Sequence, residues 1–302
     1  MRYKKFFIAG GTGFVGKHLC KALKEDGCSL KLLVRSEKKA EQAIAEGYRP
    51  HLGDITRGES LKGALNDVDV VVNLVGLIQE TPNLSFHRAH VEGTFNLIEE
   101  SKNSDVKLFF YQSALGADLN STFKYSKTKA EAEEIVKASG IPYIIFRPSL
   151  IIGKGDGFTK SLLDVINRFP FIPVPGKGEA RFQPLSINDW VQCFLKAMTD
   201  YAFVGKTIEF GGPEHLTYNE ILRILMATLG ISKPIMHIPK SFVKAGLPLG
   251  KLASFIGIKT PSITSEQIEL LQVDNITRTD SIEKHFGFKP MSYKEALKIS
   301  LA

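Results

Sequence analysis

Three residues of this chain have the types and the order needed to move a proton at a carbonyl or hydroxyl group: Ser113, Tyr125 and Lys129. Tyr125 and Lys129 stand four apart in Phe123-Lys124-Tyr125-Ser126-Lys127-Thr128-Lys129-Ala130-Glu131, a segment of high helix propensity closed by Gly140 and Pro142. An i, i+4 pair shares one helix face. A phenol with a pKa of about 10 is a poor acid or base at neutral pH, and a neighbouring ammonium favours its phenolate. Ser113 follows the apolar run 107–111, at the carboxyl end of a predicted strand, where its hydroxyl can hydrogen-bond a substrate oxygen. A Y-x-x-x-K spacing alone is common by chance. Its weight here comes from what stands at the start of the chain.

That start is Phe6-Phe7-Ile8-Ala9-Gly10-Gly11-Thr12-Gly13-Phe14-Val15-Gly16. The apolar run predicts a buried strand, and Leu19 and Leu23 continue a helix beginning near Thr12. Gly10, Gly13 and Gly16 are three apart, as a tight turn, a close backbone approach to a pyrophosphate and a close helix–strand contact require. The helix N-terminus offers free N–H groups and a positive dipole end to phosphate. The spacing therefore predicts dinucleotide binding at Gly10, Thr12, Gly13, Phe14, Val15 and Gly16.

The second strand, 30–34, runs into Arg35 and Ser36, with Lys38 and Lys39 behind and no acid before Glu37. An acid here would bind the ribose 2′-hydroxyl of NAD, whereas an Arg accommodates the 2′-phosphate of NADP. The expected cofactor is NADP(H), with a solvated loop residue as the alternative for Arg35. Further strands are predicted at 48–55, 68–74 and 144–153. The one at 68–74 ends beside Leu74, Val75 and Gly76, where a small residue lets the chain pass close to the cofactor.

At 302 residues, 43% hydrophobic and 24% charged, the chain has room for one large or two ordinary globular domains. Cys20, Cys28 and Cys193 form no CxxC and leave an odd number, so reduced, buried thiols are expected and a zinc site is not. His87 and His90 are i, i+3, but without further ligands nearby in sequence no metal is expected. The strand beginning by residue 6 and the lack of an apolar run of about 18 residues lead to the expectation of a cytoplasmic protein without a membrane span. The net charge of +7 comes with no basic-aromatic nucleic-acid module, so no nucleic-acid partner is expected.

Taken together, GGTGFVG, LVRS, GD-I, QSALGAD, YSKTKAEAEE, RPSLIIGKGDGF and FGGPE resemble the extended and atypical short-chain dehydrogenase/reductases of the epimerase/dehydratase kind. Within these, the chain is most similar to relatives of the nucleotide-binding accessory subunit of respiratory complex I. The resemblance implies that Asp54 and Ile55 lie near the adenine and that Pro148, Ser149, Leu150 and Ile151 pass the nicotinamide. It also implies tight NADPH binding and, in some members, service to structure or assembly rather than turnover. Extended members usually carry Asn where His90 stands, which puts their active-site water arrangement in doubt here.

The expected fold is α/β, a Rossmann-type doubly wound parallel sheet with a smaller mixed C-terminal substrate lobe. The NADP-binding domain is expected over 1–152 with returning segments at about 182–212, and the lobe over 153–181 and 213–302. Helices are predicted over 218–229, 242–256, 264–273 and 293–301. Three functions stay open. The first is an NADP-dependent oxidoreductase using Ser113, Tyr125 and Lys129 on a small carbonyl or hydroxyl substrate, a lipophilic one if the apolar residues of the C-terminal stretch line its pocket. The second is a non-catalytic NADPH-binding accessory or assembly factor, peripheral at the inner face of a membrane. The third is a nucleotide-sugar epimerase or dehydratase, for which Lys177 and Arg181 are the suggestive residues. The acid-free stretch 221–265, with Arg223, Lys233, Lys240, Lys244, Lys251 and Lys259 among apolar residues such as Phe242 and Leu247, suits either an anionic surface or a lobe packed inward.

Overall fold

In the computed structural model, the first strand β1 (Lys5–Ala9) has its last four residues buried, as a strand covered on both faces must. The structure describes residues 2–239, 241 and 264–301. The helix expected over 242–256, and with it Lys240, Phe242, Lys244, Leu247, Lys251 and Lys259, lies outside the described residues.

Six further strands join β1 in one sheet: β2 (Ser29–Val34), β3 (Arg49–Leu52), β4 (Val70–Asn73), β5 (Leu108–Gln112), β6 (Tyr143–Pro148) and a return strand (Lys206–Phe210). Their spatial order is return strand–β6–β5–β4–β1–β2–β3, every pair parallel. The chain therefore winds outward in both directions from the β1/β4 pair, where Ala9 stands opposite Asn73. This is a Rossmann-type doubly wound sheet. The crevice at the carboxyl ends of β1 and β4 is its topological switch point, where such sheets bind ligands.

Helices cover both faces. Helix α1 (Phe14–Glu25) buries Gly16, Leu19, Cys20 and Leu23 and packs beside α6 (Ile187–Thr199). There Phe110, Phe146, Trp190 and Phe194 meet mostly edge to face, with Phe110–Phe194 and Phe110–Phe146 centroids 4.7 and 4.9 Å apart. On the other face α3 (Gly93–Lys102) and α4 (Lys124–Lys137) lay Leu97, Ile98, Ala132 and Val136 on Phe7, Val71 and Phe109. A buried ion pair pins α4 to the sheet: Arg147 on β6 gives two bonds of 2.8 Å to Glu133, which is fully buried, and a third to Glu209.

Two compact units divide the chain. One comprises Met1–Pro148 and Ile187–Phe210, the other Ser149–Ser186 and Gly211–Ala302. The second has its own core, in which α5 (Gly157–Arg168), α7 (Tyr218–Thr228) and the helix Tyr293–Leu301 gather Leu162, Ile166, Ile221, Leu225 and Leu297. The strand expected over 144–153 is two strands. β6 stops at Pro148, and Ile151–Ile152 pairs instead with Leu185–Ser186 inside the second unit. Lys233 of the basic stretch donates to the carbonyls of Ile166 and Phe169 at the end of α5, so its charge serves a helix terminus.

Candidate functional site

The site begins where β1 gives way to α1. Gly10 has φ +88°, and the Gly13 N–H donates to its carbonyl at 3.0 Å, closing the turn. Helix α1 starts at Phe14, two residues beyond the expected Thr12. A Cβ on Gly16 would stand 2.2 Å from the Gly10 carbonyl oxygen and 2.6 Å from the Gly11 Cα, so no other residue fits. A Cβ on Gly10 would press within 3.0 Å of the Leu74 backbone. Gly13 is exposed, and no side chain caps the helix it opens. The first amides of α1 are thus left to an outside acceptor, and the turn fits the pyrophosphate of a dinucleotide.

Arg35 and Ser36, at the carboxyl end of β2, share a cleft of about 440 Å³ with Asp54, Arg57 and Ser60 beyond β3. The Asp54 carboxylate is turned into its own loop, accepting from the Thr56 N–H and hydroxyl at 2.9 Å each, while the Asp54 N–H donates to Ser60 Oγ. Arg57 went unrecognised in sequence. Its signal was a second cation three residues after Asp54. Ile55 is a core residue: its side chain packs where a Cβ on Gly93 would sit, 3.1 Å away, and its carbonyl accepts from Asn96.

Lys129 gathers the rest. It is buried, and Nζ donates to the Gln112 carbonyl at 2.9 Å at the end of β5, with the Val75 carbonyl 3.5 Å away beyond β4. Gly76 lies beside it, with room for a Cβ 3.6 Å from Nζ. Leu74 and Val75 are half-buried, and the Val75 N–H donates to Asn73 Oδ1, which fixes the turn. Ser113, next in chain to Gln112, is buried, and its Oγ has no hydrogen-bond partner among the described residues. A buried hydroxyl left unpaired costs stability unless a ligand completes it.

Burial pushes the Tyr125 phenol up to about 12 and the Lys129 ammonium down to about 7, Glu133 pulling the latter the other way. This differs from the expectation that Lys129 lowers the phenol. Lys129 gives its hydrogen bonds to main-chain carbonyls, and burial of the phenol dominates.

His87 and His90 part company. His87 is exposed and meets Glu92, whereas His90 is buried with both ring nitrogens engaged by Leu77 and Thr128. Among the described residues no group of three or more His, Cys, Asp or Glu side chains is placed to hold a metal. Cys20, Cys28 and Cys193 are buried thiols, outside any disulfide. Pro148 ends β6, while Ser149, Leu150 and Ile151 belong to the second unit, where Ser149 Oγ contacts Asn275 at 3.3 Å. Arg181 is taken up by Asp274 at 2.6 Å. No helix among the described residues is long and apolar enough to cross a membrane.

Comparison with known proteins gives these features a setting. The model of the NAD dependent epimerase/dehydratase family matches residues 6–211. The "NADH dehydrogenase [ubiquinone] 1 alpha subcomplex subunit 9, mitochondrial" of Arabidopsis thaliana is 27% identical over 288 residues, 91% of this chain and 70% of that protein. A "4-hydroxy-2-methyl-3-oxo-4-farnesyl-3,4-dihydroquinoline-1-oxide ketoreductase" of Stigmatella aurantiaca is 28% identical over 269 residues, 81% of this chain and 79% of its own. Among solved structures, an NADPH-dependent quinone oxidoreductase of Escherichia coli complexed with NADPH superposes with a TM-score of 0.75. It covers 98% of this chain and 100% of its own at 18% identity, a likeness of fold.

The depressed Lys129 pKa has a consequence for stability. Between pH 7 and the ordinary lysine value of 10.5 the unfolded chain holds a proton at Lys129 that the folded chain has released. Stability then rises with pH across that window. Replacing Lys129 by Met removes the contribution. Urea denaturation at intervals from pH 7 to 10 is expected to show a steeper rise for the wild type than for Lys129→Met, and parallel curves would contradict it.

Proposed function

We propose a function from the premise that the chain belongs to the NAD dependent epimerase/dehydratase family: it is an NADP(H)-dependent oxidoreductase acting on a carbonyl or hydroxyl group through Ser113, Tyr125 and Lys129. The observation that carries this reading is the buried, unpartnered Ser113 hydroxyl one residue from the carbonyl that holds Lys129 Nζ. Ser113 holds the substrate oxygen by donating to it. Tyr125 keeps its proton to about pH 12, so it is poised to give that proton to the oxygen of a carbonyl being reduced. Lys129, near its ionisation midpoint at neutral pH, holds the ribose hydroxyls from its place at the ends of β4 and β5. A bound nicotinamide supplies the reducing equivalent.

The turn at Gly10–Gly16 takes the pyrophosphate, with Leu74, Val75 and Gly76 beside it and Pro148, at the end of β6, assigned to the nicotinamide. Arg35 and Arg57 give the cleft beyond β2 and β3 two guanidiniums for a 2′-phosphate, which supports NADP(H) over NAD(H). The substrate is lipophilic. Ile78 and Leu119, in the segments that follow β4 and β5, are 73% and 46% exposed, and the ketoreductase of Stigmatella aurantiaca acts on a farnesylated ketone. A second reading, an NADPH-binding accessory subunit of a membrane redox complex, is favoured by the likeness to a subunit of mitochondrial NADH dehydrogenase.

Calorimetric titration is expected to show tighter binding of NADPH than of NADH. Arg35→Asp removes a charge-assisted hydrogen bond worth about 1.5–3 kcal/mol and weakens NADPH alone. Equal affinities for the two cofactors would contradict the assignment. With a panel of apolar ketones and quinones, NADPH consumption is expected in the wild type and absent in Tyr125→Phe, whose NADPH affinity stays close to wild type. Stoichiometric NADPH binding with no consumption on any of them would favour the accessory reading.

A further inference from the structure

His90 is fully buried and its hydrogen bonds leave one arrangement of protons. The Leu77 amide, which can only donate, lies 3.1 Å from Nε2, so Nε2 is the bare acceptor. A neutral ring then carries its proton on Nδ1, which donates to Thr128 Oγ1 at 3.0 Å. Thr128 Oγ1 donates in turn within α4, where the carbonyls of Lys124 and Tyr125 lie at 2.9 and 3.1 Å. Two rings close around this chain of bonds. Phe86 stacks on His90 at 5.6 Å, and Tyr125 meets both edge to face, at 5.6 Å from His90 and 5.7 Å from Phe86.

The backbone is unusual where it delivers this side chain. The residues ahead of α3 form a π-helix, His87–Glu92, rather than an α-helix. Such segments admit an extra residue and concentrate at functional sites. Burial, with the Lys129 ammonium adding to it, holds the imidazole neutral by pushing its pKa down to about 2. A ring that never charges is suited to hold two backbone segments in place and unsuited to exchange protons with a substrate.

We propose that His90 is a positioning residue, which ties the turn leaving β4 at Leu77 to α4 at Thr128 and seats the ring of Tyr125. The inference rests on the reading of Tyr125 as proton donor, and it gives the His that stands in place of the family's usual Asn a definite task. The turn that carries Val75 and Gly76 and the helix that carries Tyr125 and Lys129 are joined through one imidazole.

Glutamine sets its terminal group where Nε2 stands, and asparagine where Nδ1 stands, so the two ties can be cut separately. Amide hydrogen exchange at Leu77 is expected to stay slow in His90→Gln and to speed at least tenfold in His90→Asn. The carbon-13 signal of the Tyr125 phenol, assigned by its loss in Tyr125→Phe, is expected to show no ionisation up to about pH 11 in the wild type. In His90→Ala it moves down toward the value of about 10 for a solvated phenol. Equal Leu77 exchange in the Gln and Asn variants would overturn the proposal, and so would a folded His90→Ala protein with wild-type phenol titration. Should His90→Ala fail to fold, the Gln and Asn pair decides. Neither readout needs turnover, so a protein that consumes no NADPH would count against the oxidoreductase reading and leave this one standing or falling by itself.

Discussion

A lysine buried against main-chain carbonyls is the constraint on which the site depends. Lys129 Nζ holds the Gln112 carbonyl and stands beside Val75, so one ammonium binds the ends of β5 and β4 to the helix that carries Tyr125. Placing a cation there costs desolvation, and its relief comes from a chain of charges. Glu133, one helical turn further along α4, raises the Lys129 pKa. That carboxylate is held in turn by the fork of Arg147, which reaches on to Glu209 on the return strand. Glu133 thus acts on the charge of the ammonium directly, Arg147 and Glu209 hold that carboxylate's side of the network in place, and the RP motif that contains Arg147 acquires a structural meaning.

The glycine turn imposes the second constraint. Gly16 lies so close to Gly10 that α1 is drawn onto the end of β1, and Gly10 is pressed against Leu74 at the switch point. These contacts put the open amides of α1, the Leu74–Gly76 turn and Lys129 along neighbouring strand ends. Arg35 and Arg57 stand further out, where β2 and β3 end. A ligand spanning from that cleft to Lys129 would cross the ends of β3, β2, β1 and β4 in spatial order, as an extended dinucleotide does.

Much of this was legible in the sequence, for reasons that differ by residue. Parallel strands buried on both faces read as continuous apolar runs, so β1, β2, β4 and β5 were evident. The glycine spacing revealed the turn because its steric demand is local. What depended on distant partners was hidden. Leu150-Ile151-Ile152 looks like a continuation of β6, yet its pairing partner is Leu185–Ser186, more than thirty residues on. His90 read as half of a metal pair or as a departure from Asn, because Leu77 and Thr128 enclose it only in three dimensions. Likewise, Tyr125 and Lys129 showed their helical spacing but not their burial, and burial decides the direction in which each titrates. Arg57 lay in plain view in Gly53-Asp54-Ile55-Thr56-Arg57, and only the folding of that loop toward Arg35 gives it weight.

The identity of the nucleotide that the protein holds decides the role of Arg35, Arg57 and the glycine turn together. The most direct measurement is chromatography with mass detection of whatever nucleotide is released when the purified, undialysed protein is denatured. NADP⁺ or NADPH is expected, approaching one per chain after incubation with NADPH. Release of NAD⁺ or NADH instead, or a folded protein that retains no NADPH at saturating concentration, would contradict that assignment.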